Sequence, residues 1–216
     1  KINDGEKVSP VGVVLIVTGN VRSILAAERV VLNCMQRMSG IATKTRQLQD
    51  LCDGTKTKIC DTRKTTPGFR YFEKWAVSIG GGANHRFGLY DMVLIKDNHI
   101  DSGGGLKKVI EKANQFLFEK KIQVPIEIET RSLNEVKKVL EIGNVQRIML
   151  DNFSISKTKK AVELIYGKLE VESSGGITEK NLRQYALCNV DFISVGALTH
   201  QIKSIDLSLK VESKVS

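Results

Sequence analysis

The chain has 216 residues, 41% of them hydrophobic and 26% charged, which is typical of a globular protein with a sizeable core. Its 33 Lys and Arg residues exceed its 24 Asp and Glu residues, so the net charge is +9 and the expected partners are anions. Aromatic residues make up only 6% and are not interleaved with the basic ones, which argues against nucleic acid and favours small anionic substrates. No apolar run approaches the roughly 20 residues that span a bilayer, so we expect no membrane partner.

The four cysteines, at positions 34, 52, 60 and 188, form no CxxC pair. We interpret them as structural thiols in a reducing compartment and expect a cytoplasmic protein. The chain begins with Lys1 rather than Met, so we expect the natural N-terminus to lie upstream, which leaves organelle targeting open.

The N-terminal region combines a predicted strand with a long predicted helix. Residues 11–18 are apolar and β-branched between turn residues, which predicts a strand of a small sheet. Ser23 is the predicted cap of a helix that runs to about Leu51, with Ser39 and Gly40 as a candidate kink.

A regular alternation of strands and helices follows. Thr66 is the predicted cap of a helix that starts at Pro67, and Ser132, Ser154 and Thr178 are the predicted caps of three later helices. Six strands are predicted, at residues 58–61, 92–96, 124–129, 147–151, 169–172 and 192–195. Six such units indicate either an open doubly wound sheet or a barrel. Nearly every strand ends in a polar residue or glycine, and this radial distribution favours a parallel α/β barrel.

Basic residues gather after the first two strands. Arg63 and Lys64 follow the first strand, Lys96 ends the second, and His85 and Arg86 lie between them after a triple glycine. Because residues past the carboxyl ends of parallel strands face the active site, we expect these cations to line one pocket for a polyanion. The alternative is a structural ion-pair network with nearby acids, namely Asp61, Asp91 and Asp97.

The later strands end in acids and glycines. Glu129 and Asp151 end consecutive strands, where paired carboxylates suit Mg²⁺ or instead partner the lysines. The last two strands run into glycine-containing turns, which either cradle a phosphate through backbone N–H groups or are simple turns. These turns contain Ser174, Gly175, Gly176 and Gly196.

Three motifs carry a resemblance to a known family. DTRKTTPG, GGGANHR and LIKDNH, in this order and spacing, resemble quinolinate phosphoribosyltransferase, also called carboxylating nicotinate-nucleotide pyrophosphorylase. The similarity continues through AERVVLNCMQRMSGIAT, IEIET, IMLDN, SSGGIT and DFISVGALTH. It implies an incomplete parallel α/β barrel of about six to seven strands with a remnant of an N-terminal α/β sandwich domain. We expect residues 1–33 to be the partial sandwich and linking helix, residues 34–200 the barrel, and residues 201–216 a tail that returns to the sandwich.

The same resemblance implies roles for individual residues. Arg63, His85, Arg86 and Lys96 match the cations that bind quinolinate, and Lys64 matches a lysine between the two substrates. Taken alone, Arg29 is an exposed charge, but it matches an arginine contributed across a homodimer. Glu129 and Asp151 match the acids that hold the ribose and Mg²⁺. The 5′-phosphate site is matched by Ser174, Gly175, Gly176 and Gly196.

The implied activity is that of a glycosyltransferase of NAD biosynthesis. Quinolinate and phosphoribosyl pyrophosphate would give nicotinate mononucleotide, CO₂ and pyrophosphate, with Lys64, Lys96, Glu129 and Asp151 as catalytic residues and Mg²⁺ as cofactor. Two alternatives stay open at this point. One is a related phosphoribosyltransferase that acts on another acid, and the other is a basic nucleic-acid-binding protein.

Overall fold

A computed structural model describes residues 2–211 of the chain. The first helix in the chain is the long α1 (Val21–Asp50), whose cap is Asn20. The Oδ1 atom of Asn20 accepts hydrogen bonds from the backbone N–H groups of Arg22 and Ser23. The prediction of Ser23 as the cap is therefore wrong, because Asn20 already satisfies these first free N–H groups and Ser23 lies inside the first turn.

The predicted strand at residues 11–18 is also wrong. This segment joins no ladder, and Val11 has a backbone φ of 58°, outside the β region. A strand needs a neighbour to pair its backbone N–H and C=O groups, and no strand among residues 2–211 lies beside it. Its apolar side chains, such as Val13 and Ile16, are about two-thirds exposed.

Six parallel strands form one sheet: β1 (Lys58–Cys60), β2 (Val93–Ile95), β3 (Ile126–Thr130), β4 (Arg147–Asp151), β5 (Glu170–Ser174) and β6 (Phe192–Ser194). Their order is β1-β6-β5-β4-β3-β2. Successive strands from β2 to β6 are adjacent and β6 returns to β1, which is the order of a barrel. All six predicted strands are confirmed to within two residues at either end.

The gap between β1 and β2 is filled by a short segment of residues 83–86. The N–H of Ala83 donates to the carbonyl of Ile59 at 2.7 Å, and this single bridge takes the place of a seventh strand. Three residues later, Nη1 of Arg86 donates to the carbonyl of Met92, just before β2. The predicted incomplete α/β barrel of six to seven strands is thereby confirmed.

Seven further helices follow α1: α2 (Arg70–Ile79), α3 (Asp97–Gly103), α4 (Leu106–Lys120), α5 (Leu133–Ile142), α6 (Ile155–Ile165), α7 (Glu179–Ala186) and α8 (Ala197–His200). The predicted caps Ser132, Ser154 and Thr178 are confirmed. The predicted start at Thr66 and Pro67 is wrong, since α2 begins at Arg70. Thr66 does not cap it, because its N–H donates to Glu73 and its hydroxyl accepts from Arg37.

The two faces of the sheet differ in polarity. Because side chains alternate along a strand, Ile128, Ile148 and Val171 point outward, where they are buried against the helices. The same alternation turns Glu127 and Glu172 inward, where both are fully buried. The barrel interior therefore contains ionisable groups in place of a purely apolar core.

The segment after α8 runs along α1. The N–H of Ile205 donates to the carbonyl of Gln36, and a Cβ on Gly40 would lie 2.5 Å from the carbonyl oxygen of Lys203. Gly40 thus permits this close approach without breaking α1. Since α1 crosses the predicted boundary at residues 33 and 34, the division into domains stays a prediction. No helix within residues 2–211 is long and apolar enough to cross a membrane.

Candidate active site

The loop after β1 brings two cations to the carboxyl end of the barrel. The backbone carbonyl of Lys64 accepts a hydrogen bond from Oγ1 of Thr199 at 2.7 Å. Its side chain passes Gly196, where an added Cβ would be 3.5 Å from Cδ of Lys64. The neighbouring Arg63 is half-buried, and its Nε has no hydrogen-bond partner within residues 2–211. An unpaired, buried guanidinium N–H is a donor available to an anion.

Arg86 interacts electrostatically with Arg63, although the two residues are separated in sequence. Burial lowers the pKa of Arg86 and the charge of Arg63 lowers it further, while Glu127, Asp91 and Glu129 act in the opposite direction. Two guanidinium groups held together in a partly buried site repel each other. A bound carboxylate would relieve that repulsion, and each guanidinium matches the planar geometry of a carboxylate.

Asp61 does not join these cations, although it directly follows β1. It points outward, where its Oδ1 accepts from Nζ of Lys74 at 2.5 Å and from the N–H of His85 at 2.8 Å. Lys74 also donates to the carbonyl of His85 at 2.8 Å. The buried pair of Asp61 and Lys74 thus fixes the backbone that presents His85 and Arg86.

The imidazole of His85 points into the barrel rather than to its open end. Its Nδ1 accepts from the N–H of Arg86 at 2.7 Å, and its Nε2 is 2.9 Å from Oε2 of Glu127, though not aligned as a hydrogen bond. Burial lowers the pKa of His85 and raises the pKa of Glu127 to about 7 and of Glu172 to about 8. The cluster beneath Arg86 therefore favours a neutral imidazole and carboxyl groups that retain a proton.

Lys96 and Glu129 form an ion pair at the ends of β2 and β3, with Nζ 2.9 Å from Oε1. Glu129 is paired in register with Met149, so Asp151 lies two residues further along β4 on the same inner face. Asp151 accepts from Nδ2 of Asn152 at 2.9 Å and has no ion pair among residues 2–211. Carboxylate oxygens on neighbouring strands suit Mg²⁺, so this donor set fits the expected metal.

The turn after β5 is shaped by glycines. Gly175 has a φ of 91° and Gly176 a φ of 63°, both in the left-handed region that favours glycine. A Cβ on Gly175 would overlap Oδ1 of Asn152. The backbone of Ser174 and Gly175 therefore packs directly on Asn152, beside Asp151, while Gly196 follows the neighbouring strand β6 and lies next to Lys64.

Arg29 is not brought together with the others. It is exposed on the N-terminal half of α1 and makes no ion pair or side-chain hydrogen bond within the part of the chain that the structure describes.

The sequence interpretation also missed residues that support the site, among them Lys74 and Thr199. The sequence gives no sign of these contacts, because the partner of Lys74 is 13 residues away and that of Thr199 is 135 residues away.

Two family profiles match the chain. The profile described as the C-terminal domain of quinolinate phosphoribosyl transferase matches residues 41–210. The profile for the N-terminal domain of the same family matches residues 1–39. Together they cover nearly all of the described residues.

Individual relatives agree with the profiles. The mitochondrial quinolinate phosphoribosyltransferase (decarboxylating) 2 of Nicotiana glauca is 45% identical over all of this chain, which spans 65% of the length of that relative. A probable carboxylating nicotinate-nucleotide pyrophosphorylase of Bacillus subtilis is 42% identical, covering 96% of this chain and 71% of its own. The crystal structure of NadC from Streptococcus pyogenes superposes with a TM-score of 0.91 at 40% identity, covering 97% of this chain and 72% of that one. The chain therefore belongs to the quinolinate phosphoribosyltransferase family.

Proposed function

We propose that the chain carries the barrel active site of a carboxylating nicotinate-nucleotide pyrophosphorylase. In this reaction phosphoribose passes from phosphoribosyl pyrophosphate to quinolinate, and nicotinate mononucleotide, CO₂ and pyrophosphate are released. The observation that carries the proposal is the buried Nε of Arg63, which has no hydrogen-bond partner among residues 2–211, in the barrel to which Arg86 is fixed through Met92. Arg63 shares the carboxyl end of the barrel with Lys96 and with two acids on adjacent strands.

The cations suit a pyridine diacid. Arg63 and Arg86 would each bind one carboxylate of quinolinate, and Lys96 would supply a third positive charge once its ion pair with Glu129 is broken. The neutral imidazole of His85 would lie beneath the bound quinolinate, in keeping with the burial and the lowered pKa of this residue. Such contacts would hold the ring nitrogen facing the anomeric carbon of the ribose, so that most of the catalytic effect comes from positioning.

The remaining groups suit an activated sugar phosphate. The turn with Ser174, Gly175 and Gly176, together with Gly196, would bind the 5′-phosphate through backbone N–H groups. Glu129 and Asp151 would hold the ribose and Mg²⁺, whose charge when bound offsets that of the pyrophosphate. Lys64, which follows β1 and lies next to Gly196, would approach the same phosphates from the side of β1.

The chemistry follows from these charges. As the bond to pyrophosphate breaks, the ribose gains oxocarbenium character, and the carboxylates of Glu129 and Asp151 stabilise it. The pyridine nitrogen then attacks the anomeric carbon and becomes quaternary. That positive nitrogen stabilises the carbanion left when the 2-carboxylate departs as CO₂. The carbanion then takes a proton from water to give nicotinate mononucleotide, so no covalent bond to the protein is needed.

The site would be completed by a second copy of the chain. Arg29 matches the family's cross-subunit arginine, and the exposed apolar side chains around it, including Val30 and Leu25, support burial in a homodimer. Mixing an Arg29→Ala variant with an Arg63→Ala variant should restore turnover that neither has alone. If the mixture stays inactive although the subunits exchange, Arg29 does not act across the dimer.

We also infer that the protein is cytoplasmic unless an upstream leader directs it to an organelle.

The direct test is formation of nicotinate mononucleotide by the protein with Mg²⁺, quinolinate and phosphoribosyl pyrophosphate. Arg63→Ala or Arg86→Ala should abolish most turnover while the melting temperature is retained, and Arg46→Ala, an exposed arginine on α1, is the matched control. Near-full activity in both variants would contradict the assignment. Transfer to another acid but not to quinolinate would instead indicate a related phosphoribosyltransferase.

A further inference from the structure

We infer that Arg37 and Glu73, which contact none of the proposed substrate-binding side chains, position the loop that carries Arg63 and Lys64. This inference rests on the proposed function for its kinetic consequence. Glu73 lies on α2 and is fully buried, and its Oε1 accepts from Nε of Arg37 at 2.8 Å and from Nη2 at 2.5 Å. A buried carboxylate with a two-point contact to a guanidinium is a rigid, geometrically specific pair.

The same pair reaches the loop after β1 from two sides. The second oxygen of Glu73 accepts from the N–H of Thr66 at 3.1 Å. Nη2 of Arg37 donates to the hydroxyl of Thr66 at 2.9 Å. Both the backbone and the side chain of Thr66, two residues after Lys64, are thereby fixed to the interface of α1 and α2.

A third contact extends the connection to the other end of the loop. Nη2 of Arg37 also lies 2.8 Å from the carbonyl of Thr199 in α8, and Oγ1 of Thr199 donates to the carbonyl of Lys64 at 2.7 Å. One guanidinium therefore joins α1, α2, the loop and α8. Any cation could neutralise Glu73, but simultaneous contacts to Glu73, Thr66 and Thr199 need the several N–H donors of a planar guanidinium.

These contacts make the position of the loop depend on Arg37. The loop from Arg63 to Thr66 has no strand or helix of its own, so side chains hold it. Arg70 contacts its first half at Arg63 and Thr65, and the contacts of Arg37 and Glu73 hold its last residue, Thr66. Arg37 also lies eight residues after Arg29 on α1, about 12 Å along the helix axis. A shift of α1 would therefore move the loop that presents Lys64 to the phosphates.

The kinetic test uses Arg37→Lys, which keeps the charge, and Arg37→Gln/Glu73→Gln, which leaves no unpaired buried carboxylate. Both should fold with a melting temperature close to that of the unmodified protein. We expect kcat/KM to fall by about tenfold to a hundredfold, mainly through a raised KM for phosphoribosyl pyrophosphate, because the loop is misplaced. Arg46→Ala, on the same helix, should behave as the unmodified protein. Unchanged kcat/KM in Arg37→Lys, or a fall that only tracks the fraction unfolded, would overturn the inference.

A second measurement does not depend on turnover. Hydrogen exchange of the peptide covering residues 62–69 should accelerate at least tenfold in both variants and stay unchanged in Arg46→Ala. Without the guanidinium, the side chain at position 73 is no longer held in place, so its hydrogen bond to the N–H of Thr66 opens more often. Exchange equal to that of the unmodified protein would overturn the positioning role even if activity were lost. Faster exchange in a protein that never converts quinolinate would support the role of Arg37 and contradict the proposed function instead.

Discussion

Nζ of Lys96 donates a hydrogen bond to Oε1 of Glu129 at 2.9 Å and so joins the ends of β2 and β3. The lysine side chain is 47% exposed and the glutamate side chain 12% exposed. The proposed Mg²⁺ site needs a free carboxylate oxygen at this position. Lys96 and a bound Mg²⁺ would therefore compete for Glu129, and binding of quinolinate would draw Lys96 away.

Replacing Lys96 by Met should tighten Mg²⁺ binding while turnover is lost. At 4 Å a unit charge in water-like surroundings contributes about 1 kcal/mol, which corresponds to roughly fivefold in affinity. Titration calorimetry with Mg²⁺ alone measures this, and Lys107→Met, a surface lysine on α4, is the control. Unaltered or weaker Mg²⁺ binding in Lys96→Met would show that the metal does not use Glu129.

Gly175→Ala should impair the phosphate turn more than its backbone strain explains. A φ of 91° costs any L-residue about 1–3 kcal/mol, and the new Cβ would in addition overlap Asn152. Gly167→Ala is a matched control, because Gly167 has a φ of 71° and nothing within 4 Å of an added Cβ. Urea unfolding should show both variants destabilised, but only Gly175→Ala should raise the KM for phosphoribosyl pyrophosphate. Equal KM values in the two variants would contradict a phosphate site at this turn.

Much of the barrel could be predicted because each strand is a short apolar run followed abruptly by charge. Parallel strands place their carboxyl ends at one edge, so Lys96 and Glu129 could be assigned to the same opening without knowing any contact. The direction of a side chain was harder to foresee. Asp61 follows β1 directly, yet the alternation along the strand turns it outward to Lys74.

The residues that support the site could not be predicted, because their contacts join elements far apart in the chain. Arg37 reaches Glu73 and then Thr199, 36 and 162 residues away, and nothing in the sequence separates it from the exposed arginines of α1. The predicted strand at residues 11–18 failed for a related reason. Apolar, β-branched composition favours a strand, but only a neighbouring strand can pair its backbone.

Lys74→Met should destabilise the protein strongly. It leaves the carboxylate of Asp61 buried without its cation, and losing one partner of a buried pair costs about 3–5 kcal/mol. The double variant Lys74→Met/Asp61→Asn should recover most of this loss, because no charge remains buried. Lys56→Met removes an exposed pair with Asp191 and should cost less than about 1 kcal/mol in urea unfolding. A double variant as unstable as Lys74→Met would show that the packing of the lysine matters more than its charge.

Glu172 makes the stability of the barrel depend on pH. Its carboxyl is fully buried, with Oε2 3.6 Å from Nε2 of His85 and 3.4 Å from Nη1 of Arg147. Burial and the charge of Glu127 raise its pKa from 4.5 to about 8, against the effects of His85, Ser194 and Arg147. The folded state therefore retains a proton that the unfolded chain releases near pH 4.5. The stability that this proton provides is complete below pH 4.5 and is lost as the pH rises towards 8.

Glu172→Gln should flatten this dependence, because an amide keeps the neutral form at every pH. The unmodified protein should lose up to about 1.4 kcal/mol of unfolding free energy per pH unit over this range from Glu172 alone. Urea unfolding at intervals from about pH 5 to pH 9 measures the slope, with the exposed Glu141→Gln as the control. Glu127, whose pKa is about 7, still titrates in the variant, so the slope should decrease without vanishing. Curves that stay parallel across this range would mean that Glu172 is ionised in the folded protein, with His85 and Arg147 compensating its charge.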